Sequence, residues 1–109
     1  MYSTARDLWL WHEALYTDRL LAGEYRALLF RPNLDGYAYG WAIDRWPADG
    51  GAVAAHGGAI DGFSALIMHG LDDHRLIVLL SNYEGAGGTY QRIVEAISRI
   101  WAGQPYDAP

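Results

Sequence analysis

Two apolar, β-branched segments separated by a short polar stretch constrain the fold of this chain more than any other feature. Residues 63–69 and 75–82 are rich in Leu, Ile, Val and Phe, and the residues Gly70-Leu71-Asp72-Asp73 lie between them. A polar, glycine-containing connection between two such segments is typical of a β-hairpin. The sequence therefore predicts a hairpin with a polar tip.

Three further stretches extend this hairpin into a sheet. Residues 52–57 have the composition of a strand, and residues 59–62 end in the turn dipeptide Asp61-Gly62. Residues 37–43 alternate large apolar side chains with small or polar ones, as a half-buried strand does. Together these segments predict an antiparallel sheet of three to four strands.

Apolar residues at helical spacing occur near both ends of the chain. Thr4, followed three residues later by an acidic residue, has the spacing of a helix N-cap and predicts a helix over residues 4–16. A second helix is predicted over residues 24–30, and Thr89 is predicted to cap a C-terminal helix. The apolar stripe expected on that last helix consists of Ile93, Ala96, Ile97, Ile100 and Trp101.

This order of elements predicts the α+β class, with an N-terminal helical pair, the antiparallel sheet and a C-terminal helix. We expect the helices to lie on one face of the sheet. A length of 109 residues fits one globular domain, predicted here over residues 1–103. Residues 104–109 hold two of the four prolines and are predicted to form a disordered tail.

The charge and hydropathy of the chain exclude several classes of partner. Thirteen acidic residues against eight basic ones give a formal charge of -5. That charge repels nucleic-acid phosphates, so no nucleic-acid partner is expected. The longest apolar runs, residues 8–11 and 76–80, are far short of the roughly 20 residues that a membrane-spanning helix needs. We expect no membrane span, and these features leave the cellular compartment open.

Two absent residue types limit the chemistry further. The chain contains no cysteine, which excludes disulfides, thiolate nucleophiles and cysteine-ligated zinc. It also contains no lysine, because all eight cationic residues are arginine. A guanidinium does not lose its proton at working pH, so the chain has no lysine base and no Schiff-base amine.

A pair of glycines follows a histidine at the end of the strand predicted over residues 52–57, in the run His56-Gly57-Gly58-Ala59. Two successive residues without side chains weaken a strand, so they call for a physical reason. One reason is a tight bend into the turn at residues 59–62, and spacing alone favours it. The other is an exposed backbone edge whose N–H groups form an oxyanion hole for a substrate carbonyl.

The residues around the glycine pair resemble a known family. The run His56-Gly57-Gly58-Ala59-Ile60-Asp61-Gly62-Phe63 precedes an apolar hairpin that closes in Leu79-Leu80-Ser81-Asn82. This pattern is similar to the C-terminal part of the serine β-lactamase and penicillin-binding-protein-like family, in its class C β-lactamase, D-alanyl-D-alanine carboxypeptidase and esterase branch. The opening run Tyr2-Ser3-Thr4-Ala5-Arg6-Asp7-Leu8, Leu20-Leu21 and Tyr37-Ala38-Tyr39-Gly40-Trp41 resemble the same family in the same order.

The resemblance implies a partial β-lactamase/transpeptidase-like fold and a role for each residue of the glycine motif. His56, Gly57 and Gly58 match the family's third active-site motif, on a strand at the edge of the catalytic cleft. His56 would orient the substrate or tune the electrostatics of the site, and Ala59 would offer a backbone N–H to the oxyanion hole. Gly57 replaces the threonine common in β-lactam-hydrolysing members, which favours an esterase- or peptidase-like parent.

The family's nucleophile is missing from this sequence. Members acylate the serine of a Ser-x-x-Lys motif, and none of the four serines here has lysine three residues on. Ser3 is better explained as part of a helix cap, and Ser64 has only half of a nucleophile-elbow pattern. We therefore expect a C-terminal fragment that is inert alone and whose partner is the missing N-terminal part of the parent enzyme. The parent would act on a small acyl substrate.

The same resemblance predicts self-association. In the family, the strand at residues 75–82 pairs with a strand from the N-terminal part of the enzyme. In the isolated chain this edge would be bare, so a homo-oligomer through the exposed sheet edge is expected.

Two other functions stay open from the sequence. The chain could be a non-catalytic binding or assembly module derived from the same fold, with Met1 as a natural start rather than a boundary. It could also be a stand-alone ester hydrolase with an unrecognised site. An in-frame Ser-x-x-Lys upstream of Met1 would favour a fragment, and a stop codon there would favour the module.

Metal and carbohydrate binding are weaker interpretations. His56, His69, His74, Asp72 and Asp73 are suitable donor types, but their spacing fits no standard ligand pattern, so no metal or cofactor is expected. The tryptophans at positions 9, 11, 41 and 101 lie in periodic segments. They are therefore expected to pack in the core or between a helix and the sheet rather than form a sugar-binding face.

Overall fold

The computed structural model of the protein describes residues 2–108, and within these the chain forms three helices and a four-stranded antiparallel sheet. This confirms the α+β class. The elements in chain order are α1 (Ala5–Leu15), α2 (Gly23–Leu29), β1 (Ala42–Arg45), β2 (Ala52–Ile60), β3 (Phe63–Gly70), β4 (Leu76–Ser81) and α3 (Gly87–Trp101). The strands lie in the order β1-β2-β3-β4. In the part of the chain that is described, no helix is both long enough and apolar enough to span a bilayer.

Each strand pairs with the next one along the chain, because short turns join them. Gly62 has a φ of 81°, a left-handed conformation that glycine adopts without strain, and it closes the turn between Ile60 and Phe63. Between β3 and β4, the Gly70 N–H donates to the Arg75 carbonyl at 2.8 Å. Asp73 accepts the Arg75 N–H at 3.0 Å. The predicted polar-tipped hairpin is present.

The helices cover both faces of the sheet, so the expectation of a single covered face is wrong. One core cluster lies between the sheet and α3 and consists of Trp46, Val53, Met68, Ile77 and Val94. The other lies on the opposite face, where Ala38, Trp41 and Ala54 pack with residues from the end of α2. Successive residues of a strand point to opposite faces, which explains why Val53 and Ala54 belong to different clusters.

Cation–π contacts of one arginine join two turns to α3. The Arg75 guanidinium lies 5.1 Å from the Trp46 ring centroid and 5.3 Å from that of Trp101. It also donates to Asp49 at 2.7 Å and, through Nε, to Asp73 at 2.6 Å. These contacts join the β1–β2 turn, the β3–β4 turn and the C-terminal end of α3.

Three element boundaries differ from those predicted. The strand expected over residues 37–43 is shorter and later, because Gly40 turns the chain at a φ of 81° and Tyr37 makes only isolated bridges. β2 runs on to Ile60 instead of ending at Gly57. Thr4 caps α1 by accepting the Asp7 N–H, whereas Thr89 lies inside the first turn of α3 and caps nothing.

The aromatic residues are less buried than their periodicity predicts. Trp41 and Trp46 are core residues, but Trp9, Trp11 and Trp101 keep 48%, 37% and 41% of their surface exposed. On α3 the buried positions are Tyr90, Val94, Ala96 and Ser98, and Ile100 is about half exposed. Trp41 is therefore a core residue as expected, Trp101 packs edge-on against the Trp46 ring with centroids 5.4 Å apart, and Trp9 is about half exposed. Trp11 still stacks on Trp41 with ring centroids 5.8 Å apart.

The tail after α3 has no regular secondary structure over residues 104–108. Its first residue is held by a hydrogen bond from the Gln104 N–H to the Arg99 carbonyl at 2.9 Å. Disorder of residues 104–109 stays a prediction. Met1, invoked above as a possible start, and Pro109 lie outside the described residues.

Candidate active-site edge

The glycine motif lies where β2 has lost one of its two neighbours. The last pair between β1 and β2 joins Ala42 to Ala55, whereas β2 stays paired with β3 through Ile60 and Phe63. The five residues 56–60 therefore have one edge with no strand beside it. All five are exposed.

Two backbone hydrogen bonds determine which N–H groups face this open edge. The Leu71 N–H donates to the Ala52 carbonyl at 3.0 Å, so even-numbered residues of β2 direct their backbone groups toward β3. The Trp46 N–H donates to the Gly51 carbonyl at 2.9 Å, so odd-numbered residues direct theirs the other way. The N–H groups of Gly57 and Ala59 consequently point out of the sheet at the open edge.

The bend explanation for the two glycines is wrong. The reversal comes later, at Asp61 and Gly62, and neither Gly57 nor Gly58 has a positive φ. Neither glycine is required by crowding. A Cβ at Gly57 would lie 3.5 Å from the Ala65 carbonyl oxygen, an ordinary contact, and a Cβ at Gly58 would meet nothing within 4 Å. What the glycines do provide is a backbone edge free of side chains.

His56 lies beside this edge on the face opposite to Gly57. Its ring is exposed and stands edge-on to the Tyr37 ring, with centroids 6.5 Å apart. The structure thus places the four predicted site residues, His56, Gly57, Gly58 and Ala59, next to one another on an accessible strand. Their catalytic role stays a prediction.

A groove of about 930 Å³ runs between the open part of the β2–β3 hairpin and α3. Gly57, Ala59 and Leu66 line its floor, and Tyr90 and Val94 of α3 line its wall. Asp44, Arg45 and Glu95 add charged groups to its lining. A ligand lying along the strand edge would therefore meet backbone donors on one side and an apolar surface on the other.

None of the four serines, all of which lie within residues 2–108, is hydrogen-bonded to a side chain that could act as its base, and Ser81 accepts the Tyr83 N–H at 3.0 Å. Ser64 is buried, and its hydroxyl donates to the Tyr83 carbonyl at 2.8 Å. Ser98 is also buried, and its hydroxyl accepts the Ala48 N–H at 3.0 Å. Ser3 is a neighbour of the α1 cap, as expected, and its hydroxyl contacts the Thr4 carbonyl. Acylation of a substrate would need a hydroxyl from elsewhere.

A buried histidine pair on the other face of the sheet is a feature that the sequence did not indicate. His12 of α1 and His69 of β3 are 0% and 2% exposed, and their Nδ1 atoms lie 2.5 Å apart. The two residues are 57 positions apart in the chain, so no local pattern connects them. The one hint in the sequence was His12 itself, a polar residue that falls on the inner face of α1, four residues before Tyr16.

Burial sets the protonation of this cluster. It lowers the pKa of His69 to about 4, with a further contribution from the neighbouring His12. Burial likewise lowers the pKa of His12. The Tyr16 hydroxyl, which donates to the Gly70 carbonyl, has its pKa raised to about 12, mainly by burial. Both histidines are therefore neutral at pH 7.

The residues considered as metal donors do not converge. His56 lies at the open edge of β2, whereas His69, Asp72, Asp73 and His74 lie at the β3–β4 end of the sheet. Across residues 2–108, no group of three or more His, Asp or Glu side chains has the geometry to hold a metal ion.

Comparison with known proteins shows a partial similarity to a penicillin-binding protein. No protein-family model matches the sequence, and no solved structure matches it. The chain is 30% identical to penicillin-binding protein 4* of Bacillus subtilis (strain 168) over 114 aligned residues. The alignment covers 98% of this chain and 25% of the relative, so the chain spans about a quarter of that protein's length. The similarity supports a partial relationship to the penicillin-binding protein and β-lactamase family.

Proposed function

We propose, from this partial relationship, that the chain supplies the oxyanion-stabilising edge of a serine acyl hydrolase whose nucleophile lies on another segment of polypeptide. The observation that carries the proposal is the open edge of β2, at which the Ala59 N–H points outward beside two residues without side chains. A substrate carbonyl can approach the N–H groups of a strand edge of this kind without steric obstruction.

The chemistry assigned to the edge is transition-state stabilisation. When a serine hydroxyl on the other segment attacks the acyl carbon, its proton passes to the base on that segment. The π electrons of the carbonyl move to the carbonyl oxygen, which becomes an oxyanion in the tetrahedral intermediate. A backbone N–H already fixed in a sheet donates to that oxygen without reorganising. Ala59 is the donor we assign, and His56 is assigned to orient the substrate from the adjacent position.

The substrate class follows from what the motif lacks. Gly57 has no hydroxyl with which to bind a carboxylate next to the scissile bond, and the chain has no lysine to attract one. The groove beside the edge is lined largely by apolar residues. These features favour esters or peptides with an apolar acyl part over β-lactams.

The nucleophile is the missing element of the proposal, and it gives the sharpest test. An in-frame Ser-x-x-Lys in the nucleotide sequence upstream of Met1 would support the proposal directly. A stop codon there, with no separately encoded partner carrying that motif, would contradict it.

The isolated chain is expected to show no turnover of p-nitrophenyl esters or of a chromogenic cephalosporin. The reason is that Ser64 and Ser98 are engaged in buried hydrogen bonds and no lysine is present to act as base. Release of p-nitrophenolate or of the cephalosporin chromophore, measured by absorbance, checks this. Turnover abolished by a serine-directed inhibitor would contradict it. The Ala59→Pro variant is the matched control, because activity from a contaminating hydrolase would be the same in both preparations.

Self-association of the isolated chain is the second expected result. β4 is an edge strand, and Leu76, Val78 and Leu80 direct their backbone groups away from β3. We expect light scattering to give a mass above 12.1 kDa that rises with concentration. Proline at Val78 removes an outward N–H without breaking a bond to β3, so it should lower the mass. A monomer at all concentrations would contradict the prediction.

A binding or assembly module is the second candidate function, and one observation favours it. At the tip of the β2–β3 hairpin, Ile60 and Phe63 are 75% and 58% exposed, and Leu80 of β4 is 46% exposed. Adjacent exposed apolar side chains of this size are typical of a surface that contacts another protein. Reading the upstream frame separates the two candidates.

A further inference from the structure

The contact between His12 and His69 joins α1 to the sheet at its most buried point. His12 lies on the inner face of α1, and His69 points to the same side from β3. The remaining nitrogen of His12, Nε2, lies 3.2 Å from the His74 carbonyl oxygen. One imidazole therefore connects the helix both to the strand and to the β3–β4 turn.

The partners of His12 determine where the protons lie. A carbonyl oxygen only accepts, so His12 Nε2 must carry a proton, and in the neutral ring Nδ1 is then an acceptor. His69 must therefore donate from its own Nδ1, which leaves its Nε2 without a proton. The pair holds two protons, one on each ring, and the hydrogen bond between the rings depends on His12 Nδ1 staying unprotonated.

We propose that this histidine pair is an acid-sensitive latch, which holds α1 against the sheet while both rings are neutral and releases the helix when they take up protons. The first added proton goes to His69 Nε2 and places a cation in a buried site. The second goes to His12 Nδ1, replaces the acceptor lone pair with an N–H, and breaks the bond between the rings.

The ionisable groups around the pair do not cancel the destabilising effect of burial on the protonated rings. They are Glu13 and Tyr16 on α1, Arg26 on α2, and Asp72, Asp73 and His74 in the β3–β4 turn. Glu13 lies 3.7 Å from His12 Nε2 and favours the cation, but its carboxylate is about half exposed. His74 opposes the cation, and Arg26 is paired with Asp18. Burial remains the largest influence on both rings, and it lowers both pKa values.

The direction of the pH effect follows from linkage. A histidine whose pKa is lower in the docked form takes up its proton more readily when the helix is released. Docking is therefore fully stabilised above the ordinary histidine pKa of about 6.5 and weakens as the pH falls below it. If one of the two rings stays neutral down to pH 5 in the docked form, the equilibrium constant for release of α1 increases about 30-fold as the pH falls from 7.5 to 5.0.

Hydrogen exchange of the α1 amides tests the latch in the chain as it exists. After correction for the intrinsic exchange rate, the amides of residues 9–15 should lose roughly 30-fold of their protection between pH 7.5 and pH 5.0. The double variant His12→Leu with His69→Leu has no titratable ring at this position, so its α1 protection should not depend on pH in this range. His56→Gln removes an exposed histidine and should keep the wild-type pH dependence.

A second measurement covers the case in which the double variant does not fold. By NMR of the wild-type chain, the imidazole C2 proton of His69 should titrate well below pH 6.5, and the pKa of His12 should be lowered in the same direction. Ordinary titration of either ring near pH 6.5 would overturn the latch. Equal α1 protection at the two pH values, or the wild-type pH dependence in the double variant, would overturn it as well.

Discussion

On the proposed function, Ala59→Pro in an enzyme that contains this chain is expected to lower kcat for acyl transfer by about 10²–10³-fold, the usual cost of losing one oxyanion-hole donor. Proline has no N–H, so the substitution removes the donor itself rather than a side chain. Ala59 directs that N–H to the open edge and not to β3, so no ladder hydrogen bond is lost. Proline is tolerated at such an edge position, and the sheet should remain folded.

The matched control is Gly57→Pro, which removes the other outward N–H two residues away. Since Gly57 is not assigned to the oxyanion hole, this variant should raise KM more than it lowers kcat. The measurement is steady-state hydrolysis of an ester by the proposed enzyme, with thermal unfolding as the check on folding. Equal losses of kcat in the two variants would contradict the assignment of Ala59.

Trp46→Ala is expected to destabilise the fold by about 3–5 kcal/mol, the range for truncating a large aromatic residue in a core. Trp46 is 1% exposed, packs with Val53, Met68, Ile77 and Val94, and supports the Arg75 guanidinium. Total stabilities of about 5–15 kcal/mol are usual for a domain, so the loss would leave a large unfolded fraction. Urea unfolding followed by far-UV circular dichroism measures it.

Trp9→Ala is the control for this substitution, because it removes the same side chain from a site that is 48% exposed. Away from the core, such a substitution is expected to change the free energy of unfolding by no more than about 0.5 kcal/mol. A comparable loss of stability in both variants would show that the cluster around Trp46 is not the main core of the protein.

The local pattern of the sequence was sufficient for the β3–β4 hairpin, but not for the bounds of β1 and β2. The β3–β4 hairpin follows from two apolar segments around a turn with glycine and aspartate, and these signals act between neighbours in the chain. The start of α1 was predictable for the same reason, since Thr4 and Asp7 form a local cap. α3 starts earlier than predicted, at Gly87, because packing of Tyr90 and Val94 on the sheet outweighs the missing side-chain cap.

Features that depend on distant residues were not predictable. The contact between His12 and His69 forms only when the sheet is complete, and periodicity carries no information about it. The exposure of Trp9 and Trp11 also depends on which surfaces the other elements leave uncovered. At the candidate site, the sequence indicated the residues, but only the different lengths of β1 and β2 showed that their edge is open.

The outward direction of the Ala59 N–H has a consequence for changes in chain length. Every second peptide group of β2 points out of the sheet, so the assignment depends on an odd or even count from Ala55, the last residue paired with β1. One residue inserted between Ala55 and Gly57 would turn the Ala59 N–H toward β3, whereas two inserted residues would restore it. This edge therefore accommodates insertions only in steps of two.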